Sequence, residues 1–410
     1  MLAFITAHAT HPDWSSAFLK VAEQLDAQQA IKWGSGPLVP APTLGFVYFT
    51  DAYSTHAPEL FTALKDRWKN VKWVGTVGVG VAASGVEYFD EPGLVVMLTQ
   101  IPSTDFQIFS GAKPLVKQYS WTALVHADPS TPYLDELITE TSERTGSGYL
   151  FGGLSASSDR AWQIADELLQ GGLSGVAFGQ KIQLISRVTQ GSQPIGPLRK
   201  ITAADGNIVL SLDNKPAIES LERDLDIDLW LPSKAMPRLR STLVGLSQGQ
   251  FHDKMGTDSS RKSFGSDVTV RQLLGLDLGR KAIAISDQVD VGMNLAFCTR
   301  DIQASRRDLV RICSEIREEV VELTQSMANH ETASTGFEES MPLDTSQLVA
   351  GAIYVSCSGR GGRHFGGPSA EMKIIQHALG DVPLVGFFAA GEIGHNHLYG
   401  YTGVLTVFMK

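Results

Sequence analysis

The chain has 410 residues, 43% hydrophobic and 19% charged, with a formal net charge of −10. That is enough for two or three domains with proper cores and is globular rather than disordered in composition. The acidic balance argues against nonspecific nucleic-acid binding and against an anionic membrane surface, and no apolar run is long enough to cross a bilayer. The opening MLAFITAHATHPDW lacks a basic start, so no signal peptide is expected. Three sparse cysteines, Cys298, Cys313 and Cys357, point to a reducing compartment without a disulfide framework, hence to the cytoplasm.

In chain order, a helix is expected from Pro12 to about Ala30, with Phe18, Val21, Ala22 and Leu25 on one face. Pro37, Pro40 and Pro42 break the chain before a short buried strand, Leu44 to Phe49. Pro58 opens a second helix with Leu60, Phe61, Leu64 and Trp68 inward. The Gly-rich WVGTVGVGVAASG follows from Trp73, then an apolar strand from Gly93 to Leu98. Pro132 to Thr141 is a helix with Leu134, Leu137 and Ile138 inward, leading into YLFGGLSASSD at Tyr149 and a strand pair around Gly175 to Val188. Turns at Asp205-Gly206 and Asp213-Asn214 mark a β-rich segment. LWLPSKAMPRLR carries two prolines in a linker-like context, which places a boundary near Ser220 to Arg240 and predicts domains 1–222 and 223–410.

In the second half, RQLLGLDLGRKAIAIS at Arg271 leads to VGMNLAFC and then to a helix burying Leu309, Ile312, Cys313, Ile316, Val320 and Leu323. The polar stretch Thr324 to Thr345 reads as a long surface loop. Gly351 to Cys357 is a strand, Ser369 to Leu379 a helix with Ser369 as N-cap and Gly380 as C-cap. LVGFFAAGEIGHN is a strand entering a Gly-rich turn, and Tyr401 to Phe408 closes the unit as a strand. This strand–helix–strand–turn–strand pattern matches the N-terminal one, with Gly75 opposite Gly386. Two weaker echoes raise the expectation to four related units, two per half. The predicted fold class is α/β, with two tandem related domains whose mixed, partly antiparallel sheets are covered by helices.

The segments FGGLSASSD at Phe151 and VTQGSQPIGPLRKITAADGNIVLSLDNKPAI from Val188, followed by CTRD at Cys298, SCSGRGG at Ser356 and PLVGFFAAGEIG at Pro383, resemble the FIST family. The first half is similar to its FIST N domain and the second to its FIST C domain. The resemblance implies an intracellular sensory module for small ligands, amino acids or their derivatives, that works with signalling outputs. The chain leaves no room for a kinase, cyclase or chemotaxis output, so a signalling partner in trans is expected. HNHLYGYTG, from His395, departs from the polar His-Asn-containing segment usual before the last strand of the C domain.

Chemistry concentrates in the last sixty residues. Cys357 ends a strand beside Arg360, where a thiol serves as nucleophile or redox sensor, or as a small buried residue. Arg360 and Arg363 lie in SGRGGRHFGG, whose glycines can form an anion nest, although the spacing fits neither a Walker loop nor a dinucleotide turn. Glu392, alone in an apolar turn, needs a partner: a ligand ammonium, or a salt bridge to Arg360 or Arg300. Arg300 stands at a strand end, a usual place for a ligand-facing side chain, with Asp301 as helix cap. Ser155 occupies the matching turn of the first half and lacks the spacing of a nucleophile elbow. His364, His395 and His397 lack zinc-type spacing, so neither metal nor cofactor is expected. The favoured function is a sensor of a small, amino-acid-like ligand, with Arg360 on its carboxylate, Glu392 on its ammonium and Cys357 nearby. The alternatives are a hydrolase or transferase with Cys357 as nucleophile and a histidine as base, and a scaffold without a ligand.

Overall fold

A computed structural model describes residues 2–34, 40–247, 268–331 and 345–410. The chain divides into two compact units, one of residues Met1–Gln190 with Arg306–Lys410 and the other of Gly191–Ser305. The first unit opens with β1 (Phe4–Ala9), α1 (Trp14–Lys32), β2 (Leu44–Thr50), α2 (Ala57–Arg67), β3 (Lys72–Gly78), β4 (Gly80–Ala83), β5 (Val86–Phe89) and β6 (Leu94–Thr99). Then come β7 (Phe106–Phe109), β8 (Thr122–Ala127), α3 (Leu134–Glu143), β9 (Tyr149–Leu154), β10 (Gln163–Ala165), β11 (Leu168–Leu169), β12 (Leu173–Phe178) and β13 (Leu184–Gln190).

The second unit is inserted at this point. It contains β14 (Ser192–Pro194), β15 (Arg199–Asp205), β16 (Ile208–Leu212), β17 (Lys215–Pro216), α4 (Ala217–Leu225), α5 (Pro232–Ser241), β18 (Thr242–Ser247), β19 (Thr269–Asp277), β20 (Ala282–Ile285) and β21 (Asn294–Arg300). Helix α6 (Ile302–Glu331) and α7 (Thr345–Leu348) lead back to β22 (Val349–Cys357), α8 (Ala370–Leu379), β23 (Leu384–Ala389), β24 (Glu392–His395), β25 (His397–Tyr399) and β26 (Thr402–Met409).

One topology occurs three times in the first unit. Two parallel strands, β2–β3, β8–β9 and β22–β23, are joined by crossover helices α2, α3 and α8. A last strand returns antiparallel beside the first of the pair, as β6 on β2, β12 on β8 and β26 on β22. An opening strand flanks it, as β1 on β6, β7 on β12 and β13 on β26.

The hairpin after each parallel pair leaves its own sheet. β4–β5 of the first repeat extends β23, β10–β11 of the second extends β3, and β24–β25 of the third extends β9. The result is three six-stranded sheets of matching order, β1-β6-β2-β3-β10-β11, β7-β12-β8-β9-β24-β25 and β13-β26-β22-β23-β4-β5.

The α/β class, with mixed sheets covered by helices, holds. The repeats number three rather than four, because the fourth expected echo, Arg271 to Cys298, lies in the inserted unit, where its strands pair antiparallel without a crossover helix. There β21, β15, β16, β20, β19 and β18 pair in turn and β18 closes on β21, giving a six-stranded antiparallel barrel around Val209, Val244, Ile283 and Phe297. The expected strand pair around Gly175 to Val188 splits, with β12 and β13 in different sheets. The proline-bearing stretch read as a linker is largely helix α5, with Pro232 in its first turn and Pro237 inside it. Thr324 to Glu331 continues helix α6 instead of starting a loop, and the rest of that stretch up to 344 lies outside the described residues.

Packing explains the apolar strands. Phe46 and Tyr48 of the first sheet, Leu124 and Phe151 of the second, and Val355 and Phe387 of the third share one core. The alternate residues face helices: Val47 and Phe49 meet α1 and α2, and Ala352 and Tyr354 meet α6 and α8. Strands buried on both faces have no polar side to alternate with. The Phe408 ring of the third sheet lies 5.0 Å from Phe4 and 5.4 Å from Phe178, joining all three sheets.

Gly75, Gly152 and Gly386 occupy matched places opposite Val47, Val125 and Tyr354, and a Cβ at any of them would fall onto the partner's carbonyl oxygen. Gly386→Ala is therefore expected to cost at least about 3 kcal/mol in urea denaturation, because backbone cannot yield as a side chain does. Gly111→Ala, with nothing within 4 Å of the new methyl, is the control. Equal effects of the two would refute the close-approach account.

Candidate functional site

The C-terminal ends of β22 and β23 gather a buried polar cluster. Tyr354 and Ser356 stand two apart on β22 and face α8, whose first turn carries Glu371. The Tyr354 hydroxyl donates to Glu371 Oε1 at 2.6 Å and Ser356 Oγ to Oε2 at 3.0 Å. Arg360 donates through Nε (3.1 Å) and Nη2 (2.8 Å) to the same Oε1, and through Nη1 to the Thr189 carbonyl at 3.4 Å. Its guanidinium also lies 5.1 Å from the Phe365 ring centre. Arg360 and Glu371 are 2% and 1% exposed. An ion pair this deep is retained only with its remaining lone pairs and protons satisfied, as they largely are here. Arg360 was expected on a ligand carboxylate, with a salt bridge to Glu392 as the alternative; α8 packs over the other face of β22 and brings Glu371 to the guanidinium.

Cys357 points to the opposite face of β22 from Ser356, next to Glu392. Glu392 opens β24 of the exchanged hairpin, opposite Gly153 of the second repeat. Its Oε2 accepts from Thr402 N at 3.0 Å and Thr402 Oγ1 at 2.8 Å, whereas its fully buried Oε1 accepts from no N–H or O–H group and the Cys357 thiol is the remaining polar neighbour of the carboxyl. Burial pushes the Glu392 carboxyl up to about 8, against the opposing pull of Thr402, Arg360 and Cys357. Burial, reinforced by Glu392, pushes the Cys357 thiol up to about 12.

The repeat symmetry gives Cys357 a structural counterpart. Thr50, Asp128 and Cys357 are matched residues, three beyond Val47, Val125 and Tyr354. Thr50 Oγ1 accepts the Gly93 N–H at 2.8 Å, Asp128 Oδ2 the Gly171 N–H at 3.1 Å, and Cys357 sulfur the Tyr401 N–H. All three cap the turn into the returning strand. Glu392 likewise matches Gln163, whose amide donates to the carbonyls of Gly171 and Gly172 at 3.3 Å.

The glycine loop from Ser358 to Ser369 does gather a carboxylate, but it is the protein's own. Glu87 of β5, on the hairpin exchanged from the first repeat, accepts the Ser369 N–H at 3.1 Å and a backbone N–H from Gly362. Ser369 Oγ in turn accepts the Glu87 N–H at 3.1 Å, so Ser369 holds the hairpin instead of capping α8. Burial first, then the nearby Glu371 charge, pushes Glu87 up to about 7.

Arg363 is exposed. Ser155 is buried with its Oγ 2.7 Å from Thr76 Oγ1, one residue after Leu154, whose N–H reaches the Gly391 carbonyl beside Glu392 at 2.8 Å. Arg300 belongs to the inserted unit, exposed at the end of β21, and Asp301 there caps α6 through the Ala304 N–H at 2.6 Å. Cys313 is core, as expected, and so is Cys298. Glu87, Glu371 and Tyr354 were not singled out from the sequence. The signal for one of them was available: Tyr354, with Ser356, is a polar alternate of an otherwise apolar strand.

The fold is thus a three-repeat α/β module with an inserted barrel, and its candidate site is a buried cluster of acids around one guanidinium and a thiol. The chain belongs to the FIST family: residues 43–215 match the FIST N domain and residues 217–395 the FIST C domain, domains associated with signal-transduction sensing. It is 27% identical over 388 residues to an uncharacterized protein of Mycobacterium tuberculosis, covering 90% of this chain and 91% of that one. It is 28% identical over 389 residues to one of Mycobacterium bovis, with 90% and 91% covered. Among the described residues no helix is long and apolar enough to cross a membrane.

The raised acid sets a pH dependence. Glu392 holds its proton in the folded chain up to about 8 but in the unfolded chain only to its ordinary 4.5, so the folded state binds more protons between those values. Stability from this group is complete below pH 4.5 and is lost as pH rises toward 8. In Glu392→Gln the fall in melting temperature from pH 5 to pH 8.5 is expected to be markedly shallower than in the wild type. A parallel fall in the two proteins would show that Glu392 does not titrate there.

Proposed function

We propose that the protein senses a small polar ligand carrying an amine, amino-acid-like in character, at the Cys357–Glu392 end of the third parallel strand pair, and acts on a signalling partner in trans. The observation that carries this reading is the fully buried Glu392 Oε1, which accepts from no N–H or O–H group, beside a thiol at a strand C-terminus. Such strand ends are the usual ligand positions of α/β sheets. The cluster's one cation, Arg360, is paired with Glu371, so Glu392 has no counter-charge once it gives up its proton, and its unmet demand is for positive charge. An ammonium on Glu392 meets that demand. Arg360 is committed to Glu371 and frames the site, with the ligand carboxylate a lesser contributor than its amine. Ser155, bonded to Thr76, lies one residue beyond Leu154, whose backbone holds the Gly391 turn. The Tyr401 ring, packed against Gly359 next to the Cys357 sulfur, belongs to the turn that must shift to admit a ligand.

A thermal-shift screen of amino acids, their amides and small acids tests this. Amine-bearing members are expected to stabilise the wild type, amides to retain most of the effect, and Glu392→Gln to weaken binding at least tenfold. Because ammonium binding drives the proton off Glu392, affinity is expected to rise as pH goes from 6 to about 8. No stabilisation by any amine, or equal stabilisation of Glu392→Gln, would end the proposal.

The hydrolase or transferase alternative needs a thiolate at Cys357, which its burial and its raised pKa oppose. Iodoacetamide is expected to leave Cys357 unmodified in the folded protein at pH 7.5. Rapid alkylation there would bring the nucleophile reading back.

A further inference from the structure

A cavity lies elsewhere in the first unit, between the second sheet, the β12–β13 connection and α6. Its volume is about 370 Å³. That size suits a small organic molecule. Trp121, Tyr149 and Phe151 supply aromatic walls, and Leu184 and Leu323 supply aliphatic ones. Phe151 is buried at 1% exposure, whereas Trp121 is 42% exposed, so the aromatic surface runs from the floor to the rim.

The polar groups define what the cavity selects. Arg187, on the wall, is bound by two carboxylates of α6, Glu315 at 3.2 Å and Glu319, and donates to the Ser186 carbonyl at 2.9 Å. Glu315 is also paired with Arg311, so the cavity lining itself carries one guanidinium, Arg187, and one carboxylate, Glu319, and the guanidinium, already engaged, leaves no cation to offer. Gln183, half-buried on the same wall, spends no side-chain hydrogen bond on another described residue, so its amide can donate to or accept from a guest. Aromatic faces without a free cation attract positive charge.

We infer that this cleft is a binding site for a planar aromatic molecule that is neutral or cationic, recognised by the Trp121–Tyr149–Phe151 walls, the Gln183 amide and the Glu319 carboxylate. It is separate from the Cys357–Glu392 site and stands or falls independently of the function proposed for it.

Tryptamine, indole and indole-3-acetate share one ring and differ in charge, and their binding can be compared by calorimetry on the full chain. Tryptamine is expected to bind at least tenfold more tightly than indole-3-acetate, with indole between them. Leu323→Trp, which fills the cleft from the half-buried face of α6, should weaken all three at least tenfold. Glu319→Gln, which removes the carboxylate of the lining and releases Arg187 from it, should bring the tryptamine-to-acetate ratio down at least threefold and so gives a reading even if the larger substitution disturbs folding. Glu392→Gln should change none of the affinities. Lack of binding by all three at millimolar concentration, equal affinity for tryptamine and the acetate, indifference to both Leu323→Trp and Glu319→Gln, or loss of binding in Glu392→Gln would each overturn the assignment.

Discussion

The exchange of hairpins between repeats is the constraint on which the rest of this structure depends. The open edges of β3, β9 and β23 are each covered by a hairpin from another repeat, so none of those ladders presents its backbone groups to a stray strand. No repeat closes its own sheet. The site inherits this interdependence: Cys357 and Arg360 come from the third repeat, Glu87 arrives on the first repeat's hairpin, and Glu392 sits on a hairpin seated against the second repeat's sheet. The cluster is therefore assembled by the fold as a whole and not by one local motif.

Charge at the cluster follows from the same geometry. The face of β22 toward α8 is fully served, with Tyr354, Ser356 and Arg360 converging on Glu371. The other face is under-served, because Glu392 receives two donors on one oxygen and no N–H or O–H donor on the other. A desolvated acid with one oxygen so poorly served keeps its proton at neutral pH. The contrast with Gln163, the matched residue of the second repeat, is informative: an amide at that place satisfies its neighbours without a charge, whereas the third repeat places an ionisable group there.

Much of the secondary structure was legible because the strands are buried on both faces and the helices bury one, so LGFVYF and the stripe Phe18–Val21–Ala22–Leu25 announce themselves. The short strands Phe4–Ala9 and Phe106–Phe109 were not, since FITAHA and FQIF mix polar and apolar residues too briefly to set a period. The Gly75–Gly386 correspondence was readable, but Gly152 was hidden in a run of small residues. Hairpin exchange left no trace, because a strand's sequence does not say which edge it joins. The partner of Arg360 was lost for a related reason. Two acids lay within reach of the third repeat, and the chain turns through Ser358–Arg360 after the strand ends, which erases the strand's alternation as a guide to facing.

Placing the barrel between β13 and β22 has a consequence for how the chain is made. Strand β9 is synthesised early, yet the hairpin that covers it begins only at Glu392, after the whole inserted unit. At ordinary translation speeds that interval is roughly 10–50 s. Throughout it, an apolar strand edge waits on the nascent chain without its mate, so the newborn protein is far more exposed to misassociation than the finished one, whose stability says nothing about that delay.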